Sequence, residues 1–236
     1  MFRLVYSPTW FYGKDLLIDV VSVVVLLLIA FTSVKYYKLN KRNKNYLYLA
    51  IAFTLMAASF LFKILTNFSI YYIVLETKTF GFITLVYKSV KYSNLPLIIG
   101  FLMYRVTMLL GLLLLYKMYV KPENTSFAIL AYLILVSSYF SRHAYYMFHL
   151  TALIFLCIIT LHYWKNYKRL RKPSNKWLAY SFALITLSQV VFVFVSVNEL
   201  FYVTAELFQL TGYAGLLITL IKVLKKGKNG EKTRKK

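Results

Sequence analysis

The chain has 236 residues, of which 60% are hydrophobic and 19% aromatic, with a net charge of +22 and a mean hydropathy of +0.63. That apolar share is well above the soluble range and comes in long blocks, which excludes an ordinary globular core. The single cysteine, Cys157, excludes an intrachain disulfide and a cysteine-built metal site.

The opening stretch, 1–15, is short and aromatic. Trp10, Phe11 and Tyr12 suit the headgroup level of a bilayer, and Pro8 keeps the segment from extending the first helix. Span one is expected at 15–34, close to the 20 residues a bilayer requires. It lacks a small-residue cleavage site and runs into Lys35, Lys38, Lys41, Arg42 and Lys44, so it is expected to stay in the mature protein. Ser7-Pro8-Thr9-Trp10-Phe11-Tyr12-Gly13, directly before this span, resembles a stretch in uncharacterised archaeal seven-helix membrane proteins. That resemblance implies an archaeal origin and carries no activity or site.

Span two is expected at 46–66. The segment 67–94 holds Tyr71, Tyr72, Phe80, Phe82 and Tyr87 beside Lys78, Lys88 and Lys91, too polar to span and too apolar to float. It is expected to be an interfacial helix or hairpin on the outer leaflet, or else an extension of helix two with a collapsed return. Spans follow at 96–116, 126–140, 144–163, 177–197 and 200–224, the fourth being short, with a basic tail at 225–236. The expected fold is therefore an all-α, polytopic seven-helix bundle.

The charges set the orientation. The cluster after span one, Lys117 and Lys121 after span three, the run Lys165, Lys168, Arg169, Arg171, Lys172 and Lys176 after span five, and the tail all fall on one side. The positive-inside rule makes that side cytoplasmic and the N-terminus external, in the cell membrane. Topology accounts for the basic excess, so no nucleic-acid partner is expected. The lipid bilayer itself is one partner and anionic lipid headgroups at the cytoplasmic face are another.

Two halves share a pattern. Leu49-Ala50-x-x-Phe53-x-Leu55-x-x-x-Ser59 recurs as Leu178-Ala179-x-x-Phe182-x-Leu184-x-x-x-Ser188, and Thr107-x-x-x-Gly111-Leu112-Leu113 recurs as Thr211-x-x-x-Gly215-Leu216-Leu217. The order predicts a 3+1+3 parallel internal repeat about an axis along the membrane normal. In this alignment Arg105 falls opposite Gln209.

Polar side chains within the spans gather toward the outer half. Asp19 and Lys63 lie shallow, His149, Gln189, Glu206 and Gln209 deeper, and Arg105 deepest, by the rise of about 1.5 Å per residue. The inner halves offer only hydroxyls such as Ser33, Thr54, Thr160 and Thr219, which can bond back to their own helices. A central Arg costs roughly 3 kcal/mol even on the lenient insertion scale, so Arg105 needs a partner. Glu206 is expected to pair with it, Gln209 lying one turn below. For Lys63, snorkelling to outer headgroups is expected, with an ion pair to Asp19 as the alternative. Asp19 is divided between that pair and interfacial exposure, and His149 reads as a hydrogen-bonded core histidine before a ligand or proton sensor.

No cofactor and no enzymatic activity are expected. His149 and His162 share span five, but His143 in the outer loop is the only other histidine, so bis-histidine haem fails and zinc lacks its ligand set. Arg105 on span three looks like microbial rhodopsins, yet span seven has no mid-membrane lysine for a Schiff base, and Lys222 lies at its cytoplasmic end. The reading that remains is a sensor or binding module whose outer chamber, built from Arg105, Glu206, Gln209, Gln189, His149 and Asp19, takes a small anionic or polar solute or responds to pH. Its basic face would meet a membrane or cytoplasmic protein partner. The alternatives are a parallel-repeat small-solute transporter and an accessory subunit of a membrane complex. Pro8, Pro96, Pro122 and Pro173 all fall at or outside span ends, so no span shows the interruption of a broken transport helix.

Overall fold

The computed structural model describes residues 7–11, 13–71, 74–80, 83–89, 94–120 and 124–234, with side chains for 7–8, 10–11, 13–67, 98–119 and 126–222. A short 3-10 turn at Thr9–Phe11 leads into α1 (Lys14–Leu39) and α2 (Asn45–Tyr71). The hairpin β1 (Val74–Phe80) and β2 (Ile83–Ser89) comes next, then α3 (Asn94–Val120), α4 (Asn124–Phe140), α5 (Tyr146–Leu170), α6 (Pro173–Val193) and α7 (Leu200–Arg234). Six of the helices are long and apolar enough to cross a membrane, and α4, at 17 residues, is the shorter apolar one. The protein is a multi-pass helical bundle.

Local chemistry sets the helix ends. Gly13 takes a left-handed φ of 84° at the head of α1, where the Asp15 carboxylate accepts the backbone N–H of Gly13 at 3.0 Å and of Leu16 at 2.9 Å. A carboxylate in the first turn also suits the helix dipole. α5 stops where Arg171 adopts φ 51° and donates its N–H to the Tyr167 carbonyl, and Pro173, with no N–H to lose, opens α6. Most helices outrun the spans expected from hydropathy because polar end residues continue the backbone ladder. α6 instead starts earlier and stops at Val193, while α7 continues as helix through most of the basic tail.

Between α2 and α3 the expected outer segment forms an antiparallel hairpin, with Val74 opposite Ser89 and Phe80 opposite Ile83. Tyr72, Phe82 and Lys91, named above, lie outside the described residues.

The helices pack as a ring in chain order. α1 lies on α2, α2 on α3, α5 on α6 and α6 on α7, and the ring closes through α1 on α7 and α3 on α5, with α4 against α3 and α5. The buried stripe of α1 includes Asp19, Ser22, Val25, Leu26 and Ile29, and that of α5 includes His149, Ala152, Phe155, Leu156 and Ile159, at one constant separation. Outward-facing side chains are just as apolar: Leu17 is 66% and Phe31 69% exposed. A helix apolar all round suits a bilayer, whose tails replace the water a soluble protein would turn such residues away from.

Two glycines let helix backbones meet. A Cβ on Gly111 would lie 2.9 Å from the Ala52 carbonyl oxygen and 2.7 Å from Met56 Cγ. One on Gly212 would lie 3.0 Å from the Ser181 carbonyl oxygen and 2.4 Å from Ile185 Cγ1. The α2–α3 and α6–α7 contacts are thus built alike, because a missing side chain is what allows such close approach in a membrane. Of the inner hydroxyls, Ser33, Thr54 and Thr219 bond to carbonyls of their own helices. Thr160 instead reaches Thr186 across α5 and α6 at 3.0 Å.

Candidate functional site

At the end of the bundle where α1, α3, α5 and α7 begin, three helices converge on one ammonium. Lys63 of α2 donates to Asp19 Oδ1 of α1 at 2.7 Å and to Glu206 Oε1 of α7 at 2.5 Å. The Asp19 and Glu206 side chains are 0% and 1% exposed, that of Lys63 12%. Lys63 therefore does not snorkel, and Asp19 is not interfacial. Two buried carboxylates within reach hold the ammonium more strongly than headgroups would, since breaking such a contact would leave charge uncompensated in a dry interior. The Phe60 and Tyr202 rings, 5.6 and 5.7 Å from Nζ, complete its surroundings.

The expected pairing of Arg105 with Glu206 is corrected by this arrangement: the ion pair of Glu206 is with Lys63. Arg105, 1% exposed, stacks its guanidinium on Phe101, one turn back on α3, with Cζ 3.7 Å from the ring centroid and 5.3 Å from those of Tyr145 and Phe148. A helical side chain leans toward its own N-terminus, so the charged head of Arg105 ends level with Phe101 rather than at the depth of its Cα. It is not the deepest polar group.

Arg105 and Glu206 nevertheless line the same cavity. It measures about 40 Å³ and is bounded by Lys63, Arg105 and Glu206, by Thr66 and Asn67, and by the rings of Phe101, Tyr104, Tyr145, Phe192 and Tyr202. With Asp19 behind Lys63 the cluster has two groups of each sign. Four ionisable side chains withdrawn from water cost several kcal/mol each before pairing, and apolar replacements commonly pack at least as stably. Their presence inside a membrane bundle is thus better explained by a task than by stability.

A second cavity of about 10 Å³ adjoins the first across Tyr104 and Phe192 and lies deeper, against Met56, Leu112, Leu156 and Ile185. It collects the other three expected residues: His149, Gln189 and Gln209. His149 Nδ1 is 2.8 Å from Gln189 Oε1; an amide oxygen only accepts, so the ring proton is on Nδ1. The ring stacks on Phe192 at 4.6 Å. Gln209 Nε2 donates to the Tyr213 hydroxyl at 3.1 Å. Among the described residues, Asp19 Oδ2 and His149 Nε2 are buried acceptors with no hydrogen-bond partner. No three His, Cys, Asp or Glu side chains converge there as a metal would require.

The six residues expected from sequence are thus all buried and fall into two adjoining groups. What sequence reasoning missed is the central place of Lys63 and the aromatic wall. A signal for the lysine was present: Met56, Phe60, Lys63 and Asn67 recur every three to four residues, the spacing of one inward helix stripe. The aromatic wall comes from three helices and a loop, and no linear pattern marks it.

Among known proteins, no protein-family model, curated protein or solved structure matches this chain.

Proposed function

We propose that the protein is a binding or sensing module of the cell membrane that holds a small polar or anionic solute in a chamber facing outward. The observation that carries this reading is the small, partly open cavity set between Lys63, Arg105 and Glu206 at the end of the bundle away from the basic loops. A cavity of about 40 Å³ has room for a few waters or one monatomic ion, since a water needs about 10–15 Å³. Sites for organic ligands run from about 300 Å³ upward. In this form the cavity takes a solute of halide or water size, and a larger one requires the aromatic wall to move.

The basic ends of α1, α3, α5 and α7 support a cytoplasmic placement of that face, with the cavity outside. The test is thermal unfolding of the purified protein with sodium halides, nitrate or formate against gluconate. A ligand at a hundred times its Kd stabilises by about 2.7 kcal/mol, and Arg105→Gln should abolish the shift. If no small anion raises the midpoint, or the shift survives in Arg105→Gln, the reading fails.

A parallel-repeat carrier is the second reading, favoured by the matched packing of Gly111 on Ala52 and Met56 and of Gly212 on Ser181 and Ile185. Matching these contacts moves α7 by three residues relative to the sequence alignment, so that Arg105 falls opposite Glu206 instead of Gln209. Opposite charges would then occupy related places across the axis, on one cavity. Uptake of a stabilising anion into proteoliposomes separates the readings: saturable accumulation argues for the carrier, and binding without flux for the sensor.

A further inference from the structure

The basic end of the bundle has a site of its own. A cleft of about 380 Å³ opens there between the α1–α2 turn, the start of α2, the end of α3 and the inner part of α5. Its polar lining is Asn43, Asn45, Tyr46, Tyr119 and His162, and its volume falls in the range of small-molecule sites.

Two hydrogen bonds fix which way these groups face chemically. Asn43 Oδ1 accepts the Asn45 backbone N–H at 3.1 Å, which leaves the Asn43 amide with its NH2 donors. Asn166 Nδ2 lies 2.8 Å from His162 Nε2; an amide nitrogen only donates, so Nε2 accepts and the ring proton sits on Nδ1. Tyr119 lies tilted against His162 with ring centroids 4.9 Å apart, and its hydroxyl meets that of Tyr163, which holds the ring in place. The lining is therefore biased toward donors. Exposed Lys41, Arg42 and Lys44 flank Asn43 in the α1–α2 turn, and exposed Lys165 and Lys168 follow His162 on α5; the sequence has no acidic residue between Asp19 and Glu76 or between Glu123 and Glu199, the stretches that supply α2 and α5, and Glu123 itself follows α3.

We propose that this cleft binds a phosphate group, carried by a lipid headgroup or by a small soluble phosphate ester. A tetrahedral phosphate accepts hydrogen bonds from several directions, as donors on opposite walls require, and the cations flanking Asn43 and following His162 draw it toward that end of the bundle without forming a charged pair inside. The rest of the headgroup or ester fills the remaining volume over Leu49.

Titration calorimetry of the detergent-solubilised protein tests this, with short-chain phosphatidylglycerol, glycerol phosphate and inorganic phosphate as probes. Saturable one-to-one binding is expected, weakened about tenfold in His162→Phe, the loss of one hydrogen bond to a charged group. Asn45→Ala, at an exposed helix start, gives the same readout should the histidine variant not fold. The distal pair Lys176→Gln and Lys222→Gln should change affinity less than about twofold, as exposed charges do. Binding of phosphatidylglycerol alone identifies a lipid site, and equal binding of glycerol phosphate a soluble ester; either supports the cleft. The proposal is overturned if no probe saturates, if both cleft variants bind like wild type, or if the distal pair weakens binding as much as they do.

Discussion

Replacing Lys63 with Met removes one ammonium and leaves two carboxylates facing each other inside the bundle. Lys63 donates at 2.7 Å to Asp19 and 2.5 Å to Glu206, with carboxylates 0% and 1% exposed, so solvent screens neither contact. Two charge-assisted hydrogen bonds at about 1.5–3 kcal/mol each give a loss of about 3–6 kcal/mol. The penalty known for breaking a buried pair, about 3–5 kcal/mol, falls in the same range. Unfolding titrations in mixed micelles would measure it. Removing all three charges together, as Asp19→Leu, Lys63→Met and Glu206→Met, should return stability to within about 1 kcal/mol of wild type, because no charge is then left buried. In double-mutant cycles Lys63 and Glu206 should couple by at least about 1 kcal/mol, and more strongly than Arg105 and Glu206. A Lys63→Met loss below about 1 kcal/mol, or additive Lys63 and Glu206 effects, would show that the three-way contact does not carry this energy.

Other expectations follow from the packing and the hydrogen bonds. Gly111→Ala and Gly212→Ala should each destabilise by about 1–3 kcal/mol through overpacking against the Ala52 and Ser181 carbonyls, whereas Gly13→Ala, with open space around its Cβ, should cost only the strain of its left-handed φ; the same titrations compare them. Nitrogen NMR should find the His149 proton on Nδ1, and Gln189→Leu should erase that tautomer preference; a proton on Nε2 in the native protein would show that the Gln189 amide presents its NH2, not Oε1, to the ring. With Cys157 replaced by Ala, a single cysteine at Asn198 should react with an impermeant maleimide on intact cells and one at Asn43 should not. The reverse pattern would invert the proposed orientation.

The number and approximate place of the helices were legible in the sequence, because a bilayer demands about 20 apolar residues per crossing and the blocks around Ile29, Phe53, Leu112, Phe155, Ile185 and Leu216 answer that demand locally. Burial of Arg105, Glu206, Gln209, Gln189, His149 and Asp19 was legible too, since a polar group inside such a block has few places to go but inward. Which of them meet was not. A shift of three residues along α7 keeps nearly the same face toward its neighbours, so under the proposed repeat the letters place Gln209 opposite Arg105, whereas matching the contacts of Gly111 and Gly212 would place Glu206 there. Lys63 shows the same limit. Its long stem permits either a headgroup or a neighbour as destination, and only the tertiary placement of α1 and α7 brings two carboxylates within 2.7 Å of its tip. Sequence determines what each helix must bury, a local matter of transfer from water. Partner choice depends on the angles and registers at which separate helices pack, and those exist only once the ring has closed.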